Sequence, residues 1–163
     1  MPSDTLTTLA TLVGAKLKAK GLLLAAAESC TGGWVAQAVT AIAGSSEWFE
    51  RGFVTYSNAA KQDMLGVRAE TLRKHGAVSE ETAHEMAAGA IAHSRAQVAA
   101  AITGIAGPTG GTPDKPVGMV CFAWAAPGVA AKSVTKHFDG DRESVRRQSV
   151  IFALQGVLEC LEG

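Results

Sequence analysis

The sequence lacks the cysteine and histidine patterns that mark disulfide-rich and metal-binding proteins. It has three cysteines, Cys30, Cys121 and Cys160, an odd number without CxxC or Cys/His ligand spacing. That pattern argues against a disulfide framework and against structural zinc. The four histidines show no metal-ligand spacing either. We therefore expect neither disulfides nor a metal site.

Charge of one sign and long apolar runs are also missing. Fifteen basic and fifteen acidic side chains cancel, and no basic run occurs, so the sequence predicts no nucleic-acid partner and no charge-driven membrane attachment. No stretch approaches about eighteen uninterrupted apolar residues, and the N-terminus has no basic region of the kind that opens a secretory signal. There is no repeat, low-complexity tract or linker. The expectation is a cytosolic protein with a single domain over residues 1–163.

What is present is an alternation of helix and strand patterns in the first two thirds of the chain, followed by strand, strand and helix. The region 66–78 is expected to be a loop. This order predicts an α/β fold with a mixed β-sheet covered by helices on both faces. The predicted helices are 6–20, 34–42, 59–65, 80–94 and a last one from Asp139 or Asp141 to Glu162, and the predicted strands are 22–27, 52–56, 98–102, 117–124 and 132–138.

The first loop with chemical character follows strand 22–27. Ser29 stands at the carboxyl end of a buried strand, before glycines that open a helix, a place where open α/β sheets bind ligands. The N–H groups of Cys30, Thr31, Gly32 and Gly33 are predicted to face an anion, either an oxyanion or a phosphate. The alternative is that Ser29 or Thr31 only caps the helix.

The second loop places Tyr56 just before a short helix and Lys61 one turn inside it. Their polar tips are able to converge at the sheet edge. A lysine acts as a general base only when neutral, which requires desolvation or nearby positive charge. The alternative is a solvated Lys61 and a Tyr56 that packs at the edge of the core.

The third loop, Thr103–Gly111, has four glycines in nine positions after a strand. Such a loop can bring backbone N–H groups close to a phosphate or carboxylate, although a flexible connection has the same composition. Arg142, in the first turn of the last helix, can bind a phosphate or be a solvated arginine. Arg146 and Arg147 are predicted to be solvated or interface residues.

Five segments of the chain carry a joint pattern: AESCTGGW (27–34), RGFVTYSNAAKQDMLGV (51–67), GAVSEETAHEM (76–86), GIAGPTGGTPDKPVGMV (104–120) and GDRESVRRQ (140–148). Together, in order and over essentially the whole chain, they resemble the CinA C-terminal domain family. The resemblance implies a CinA C-terminal-like domain and a specific activity, the hydrolysis of nicotinamide mononucleotide to nicotinate mononucleotide and ammonia.

The resemblance also implies roles for single residues. Ser29 would be the nucleophile, Lys61 its base and Tyr56 an assistant to that base, with neither metal nor cofactor. A small-molecule nucleotide would be the substrate, and the chain would form a homodimer or higher homo-oligomer. The expected substrate-binding residues are Cys30, Thr31, Gly32, Gly33, Thr103, Gly104, Gly107 and Arg142.

Two alternatives stay open from the sequence. One is a non-catalytic nucleotide-binding module linked to competence or DNA-damage responses, in which Ser29 is a cap. The joint presence of Ser29, Tyr56 and Lys61 disfavours it, because binding alone does not require a base beside a hydroxyl. The other is an amidase of the same mechanism with a different substrate. Which loop holds phosphate and which holds the oxyanion is also open.

Overall fold

The computed structural model describes the backbone of residues 2–162 and the side chains of residues 5–162. The described chain forms a five-stranded sheet and six α-helices, together with a short 3-10 helix over Ser45–Glu47. The helices are α1 Pro2–Lys20, α2 Trp34–Thr40, α3 Asn58–Leu65, α4 Ala69–His75, α5 Glu80–Ala92 and α6 Arg142–Glu162, and the strands are β1 Leu24–Glu28, β2 Phe49–Val54, β3 Val98–Gly104, β4 Met119–Ala126 and β5 Val129–His137.

The sheet is mixed, with strand order β2-β1-β3-β4-β5. β1 pairs in parallel with β2 on one side and with β3 on the other, whereas β4 and β5 add an antiparallel hairpin. The chain leaves β1 towards β2 and later returns to the other side of β1. This reversal of direction beside β1 is the topological position at which α/β sheets bind ligands.

Helices cover both faces of the sheet, as predicted. Alternate residues of β1 point to opposite faces. Leu24 and Ala26 belong to a core cluster with α1, α2 and α6, and Ala25 and Ala27 belong to one with α3, α4 and α5. Burial on both faces explains why β1 reads as a continuous apolar run. Within residues 2–162, no helix combines the length and apolar character that a membrane span requires.

Helix α4 corrects the prediction of a loop between residues 66 and 78. It has seven residues, and only Thr71 and Leu72 are buried. No side chain caps it at Arg68, so both the capping signal and a full apolar stripe are missing from the sequence. The hairpin strands β4 and β5 also reach the Pro127–Gly128 turn more closely than predicted.

The parallel strands bring the predicted loops together. Glu28, the last residue of β1, is level with Val54 at the end of β2 and with Ile102 near the end of β3. The segments that follow these strands therefore meet at one edge of the sheet. Local caps fix the helices that leave this edge: Ser57 Oγ accepts from the N–H of Ala60 at the start of α3, and Asp141 Oδ1 accepts from Ser144 at the start of α6.

Candidate active site

A serine and a lysine meet at this edge in direct hydrogen-bond contact. Lys61 Nζ lies 2.9 Å from Ser29 Oγ and 2.8 Å from the carbonyl oxygen of Thr55. Both side chains are almost fully shielded, with Lys61 1% and Ser29 7% exposed. The structure therefore excludes the solvated Lys61 and brings together the two residues predicted as nucleophile and base.

Burial also alters the proton affinity of the lysine. Desolvation lowers the pKa of Lys61 from its ordinary value of 10.5, and the nearby Cys30 opposes this only in part. Among residues 2–162, no carboxylate forms an ion pair with Lys61. A neutral amine has a lone pair that can accept the Ser29 proton while an N–H donates to Thr55. The environment suits a general base.

Cys30 lies next to Ser29 and lines the same cavity, but its thiol is not activated. It is 6% exposed, and burial raises its pKa to about 12. Since the thiolate is the reactive form of cysteine, a thiol with this pKa is a poor nucleophile at neutral pH. Cys30 stays a candidate substrate contact through its backbone N–H.

The rest of the turn after Ser29 is held by internal hydrogen bonds. The N–H of Gly32 donates to Ser29 O at 3.0 Å, and the N–H of Gly33 donates to Glu28 Oε1 at 3.2 Å. Thr31 is fully buried and donates its hydroxyl to Glu28 Oε1 at 2.6 Å. None of Thr31, Gly32 and Gly33 lines the cavity. The N–H groups of Gly32 and Gly33 thus already have protein acceptors, which disfavours substrate binding by these two groups. The role of Thr31, Gly32 and Gly33 in substrate binding stays a prediction.

The buried carboxylate of Glu28 is the acceptor for several donors at the start of α2. Besides Thr31 and Gly33, it accepts from the N–H groups of Val35 at 2.9 Å and Ala36 at 3.0 Å, in the first turn of α2. A protein carboxylate therefore takes the place that an anionic ligand would occupy at this helix start. Of the two loops considered for a phosphate, the turn after Ser29 is the one already filled.

Arg142 forms the opposite side of the site. Its guanidinium donates to Gly107 O at 2.8 Å and to the hydroxyl of Tyr56 at 3.0 Å. Both acceptors are neutral, and no carboxylate in the described part of the chain forms an ion pair with Arg142. The cation at the mouth of the cavity is thus free to attract an anion.

Tyr56 lies at the mouth of the cavity and not beside the Ser29–Lys61 pair. It is 62% exposed, whereas its neighbour Thr55 is fully buried. Within residues 2–162, its hydroxyl contacts Arg142 and makes no hydrogen bond with Ser29 or Lys61. The structure thus pairs the predicted assistant of Lys61 with the arginine. Successive side chains of extended backbone point in opposite directions, so Tyr56 faces outward where Thr55 faces inward.

The glycine loop builds the remaining wall. Thr103 is buried and donates its hydroxyl to Ala77 O at 2.8 Å, which fixes the side chain beside the cavity. A Cβ on Gly104 would lie 2.9 Å from the carbonyl oxygen of Met119, so only glycine fits this close approach. Gly107 has a φ of +82°, a backbone conformation that favours glycine. These features keep the wall thin.

Together these elements enclose a cavity of about 250 Å³. Among the described residues that line it, Lys61 and Arg142 are basic and none is acidic. The cavity therefore suits a ligand that carries an anionic group towards Arg142. Its lining residues are Ser29, Cys30, Tyr56, Asn58, Lys61, Ala77, Val78, Thr103, Gly104, Ile105, Ala106, Gly107, Thr109 and Arg142.

Three residues of the site were missed from the sequence. Glu28 has no predicted role of its own, although an acidic residue at the end of an apolar strand is itself a signal for a buried hydrogen-bonding carboxylate. Arg146 was predicted to be solvated or at an interface, and the structure places its guanidinium on the carbonyls of Cys30 and Thr31. Asn58 lines the cavity, and no pattern in the sequence set it apart from a helix cap.

Comparisons with known proteins agree with this architecture. Nicotinamide-nucleotide amidohydrolase PncC of Escherichia coli (strain K12) is 56% identical over 157 residues, which cover 95% of this chain and 94% of that protein. A protein of the same name from Pseudomonas putida is 51% identical over 156 residues, 96% of this chain and 97% of its own.

Solved structures agree with the fold as well. The competence/damage inducible protein CihA from Agrobacterium tumefaciens has a TM-score of 0.93 at 46% identity, covering 98% of this chain and 96% of that one. The competence-damaged protein (CinA) superfamily protein KP700603 from Klebsiella pneumoniae 700603 has a TM-score of 0.92 at 43% identity, covering 96% and 98%. The sequence profile described as the CinA C-terminal domain matches residues 6–161. The chain belongs to the CinA C-terminal domain family.

Proposed function

We propose that this protein is a nicotinamide-nucleotide amidohydrolase that converts nicotinamide mononucleotide to nicotinate mononucleotide and ammonia with Ser29 as nucleophile and Lys61 as base. The observation that carries the proposal is the buried contact of 2.9 Å between Lys61 Nζ and Ser29 Oγ. The names of the 51–56% identical relatives support the choice of substrate.

In the first half-reaction, Ser29 Oγ attacks the carboxamide carbon. Lys61 accepts the hydroxyl proton, and the carbonyl becomes an oxyanion. The N–H of Cys30, the residue that follows the nucleophile and lines the cavity, is the group we assign to this oxyanion. The C–N bond then breaks as protonated Lys61 returns the proton to the leaving nitrogen, which departs as ammonia and leaves an ester on Ser29.

In the second half-reaction, a water molecule takes the place of ammonia. Lys61 accepts its proton, the hydroxide attacks the ester carbon, and Ser29 leaves with the proton that Lys61 returns. The products are free enzyme and nicotinate mononucleotide, whose new carboxylic acid releases its proton to water and becomes the carboxylate. The buried Lys61 suits both directions of proton transfer because its lowered pKa brings it closer to neutral pH.

Binding of the substrate phosphate is assigned to Arg142 and the glycine loop. The filled α2 start disfavours the alternative, and the guanidinium of Arg142 already lies at the cavity mouth with two neutral acceptors. A phosphate would exchange these for charge-assisted hydrogen bonds. The pyridinium ring, itself cationic, would then lie near Lys61 and further favour its neutral form.

The non-catalytic nucleotide-binding module is the rival. Lys61 is only 1% exposed, and such burial is costly for a lysine that serves only to bind, which disfavours this alternative. The remaining open points are the homo-oligomeric state and the single-domain organisation over 1–163, which stay predictions that light scattering and limited proteolysis test.

The experiment measures ammonia release from nicotinamide mononucleotide and from free nicotinamide. We expect activity on the nucleotide, little on free nicotinamide, and a loss on the order of 10³-fold or more in Ser29→Ala. Ser46→Ala, at an exposed serine of the 3-10 helix, is the matched control and should retain full activity. Equal rates on both substrates would refute the phosphate anchor, and tight nucleotide binding without ammonia release would favour the binding module.

A further inference from the structure

Arg146 contacts the turn that carries the nucleophile, although it does not line the cavity. Its Nε donates to Cys30 O at 3.1 Å and its Nη2 donates to Thr31 O at 3.1 Å. The guanidinium also lies 5.4 Å from the ring centre of Trp34, a cation–π contact that holds its plane. The rigid fork of arginine thus grips two successive carbonyls directly after Ser29.

These contacts fix the orientation of the peptide groups around Ser29. A trans peptide is planar, with its N–H pointing away from its carbonyl. The carbonyl of Ser29 is turned towards the N–H of Gly32 at 3.0 Å, and Arg146 holds the next carbonyl, that of Cys30. The N–H of Cys30 shares a peptide plane with the Ser29 carbonyl, so the bond to Gly32 sets its direction. Arg146 fixes the next plane along the chain and thereby holds the turn that carries Ser29.

The position of Arg146 on α6 adds a second consequence. It lies one turn after Arg142, so the same helix contacts the rim of the cavity at Gly107 and the nucleophile turn at Cys30. Glu28 grips the turn from the α2 side through four hydrogen bonds. Glu28 lies on the strand that carries Ser29, whereas Arg146 ties the turn to the far side of the site.

We propose that Arg146 is a positioning residue of the reaction: its fork on the Cys30 and Thr31 carbonyls keeps Ser29 Oγ and the Cys30 N–H aligned with each other and with Lys61. The expected effect on kcat rests on the proposed Ser/Lys amidohydrolase function. The inference itself concerns the reactivity of Ser29, which can be measured without the nucleotide substrate.

The test compares Arg146→Met, which keeps an unbranched apolar stem but removes all donors, with Arg146→Lys, which keeps the charge but not the fork. Arg73→Met is the matched control, since Arg73 is 74% exposed and pairs only with Glu70 on α4 among the described residues. Two rates are measured for each variant: kcat for ammonia release from nicotinamide mononucleotide, determined together with KM, and the rate at which a fluorophosphonate labels Ser29. Thermal unfolding identifies variants that no longer fold.

We expect Arg146→Met to lower kcat and the labelling rate together by about 10- to 100-fold, the scale of a small misplacement of reacting groups, with KM within about two-fold of wild type. Arg146→Lys should fall between Arg146→Met and wild type, and Arg73→Met should match wild type. If Arg146→Met does not fold, the same two rates in Arg146→Lys decide.

Other results would overturn the proposal. Unchanged kcat and labelling in a folded, less stable variant would make Arg146 merely structural, and a raised KM with unchanged kcat would make it a substrate contact. If wild type releases no ammonia, the proposed function fails by itself. The labelling rates then decide on Arg146 alone: a ten-fold loss in Arg146→Met with none in Arg73→Met supports the positioning role, and equal rates refute it.

Discussion

Replacing Lys61 by methionine tests the base and its burial at once. Methionine is close to lysine in length and is apolar, so it fills the same buried space, but it has no nitrogen to contact Ser29 Oγ at 2.9 Å or Thr55 O at 2.8 Å. General-base catalysis contributes about 10²–10⁴-fold. We therefore expect Lys61→Met to lower kcat/KM by about that factor, equivalent to roughly 3–5 kcal/mol of transition-state stabilisation.

The pH dependence of the wild-type rate follows from the same group. The active form of Lys61 is neutral, so kcat/KM rises with pH through the pKa of Lys61 in the folded protein and is level above it. Burial places that pKa below 10.5. We expect kcat/KM to rise with pH in this way in wild type and in Ser46→Ala. The residual activity of Lys61→Met should not show this rise.

Stability gives an independent measure of the same pKa. Between the folded pKa of Lys61 and its unfolded value near 10.5, the unfolded state binds a proton that the folded state does not. The wild-type free energy of unfolding therefore rises with pH across this window and is lowered by a constant amount below it. Each pH unit of difference between the two pKa values corresponds to about 1.4 kcal/mol.

The assay is urea unfolding of wild type and Lys61→Met from pH 6 to pH 10, beside ammonia release. At the top of this pH range, Lys61→Met should be less stable by about 1–2 kcal/mol because Thr55 O loses its donor. This difference should shrink or change sign as pH falls, since only the wild type then carries a buried ammonium. A difference that stays constant with pH, together with activity within ten-fold of wild type, would refute a neutral catalytic lysine.

Three further predictions concern the neighbours of the dyad. Glu28→Gln should lower the free energy of unfolding by about 2–4 kcal/mol, because an amide has one oxygen for the donors that a carboxylate now accepts. Urea unfolding checks it against Glu70→Gln at an exposed position, and equal losses would contradict the reasoning. Arg142→Met should raise KM for nicotinamide mononucleotide by about 10- to 100-fold, from the loss of charged hydrogen bonds, with less effect on kcat; an unchanged KM would place the phosphate elsewhere. Cys30→Ala should keep kcat within about three-fold in the ammonia assay, because a thiol with a pKa of about 12 stays protonated at neutral pH. A loss as large as that of Ser29→Ala would instead make the cysteine the nucleophile.

Much of the fold could be predicted because local patterns are strong where they are complete. Neighbouring residues alone specify the apolar run of β1. They also specify the cap of α5, where Ser79 Oγ accepts from the N–H of Thr82 at 3.1 Å. Helix α4 could not be predicted, since it has neither a capping side chain nor a full apolar stripe. Its helical state depends on the packing of Leu72 in the cluster that contains α5.

The sequence by itself determined which residues of this protein have chemical potential: a serine after a buried strand, a lysine one turn into a helix, a glycine loop and an arginine at a helix start. Only the tertiary structure decided which of these meet. Ser29 and Lys61 are 32 residues apart in the chain and 2.9 Å apart in space, because two parallel strands end at the same sheet edge.

The contacts that the sequence did not predict also depend on the tertiary structure. Glu28 fills the α2 start and Arg146 reaches the nucleophile turn from 116 residues away. Hydrogen bonds of this kind depend on the distances between helices and strands. They also depend on burial, because a buried polar group can no longer use water as its hydrogen-bond partner. Neighbouring residues do not encode such distances. Only the packed sheet and helices set them.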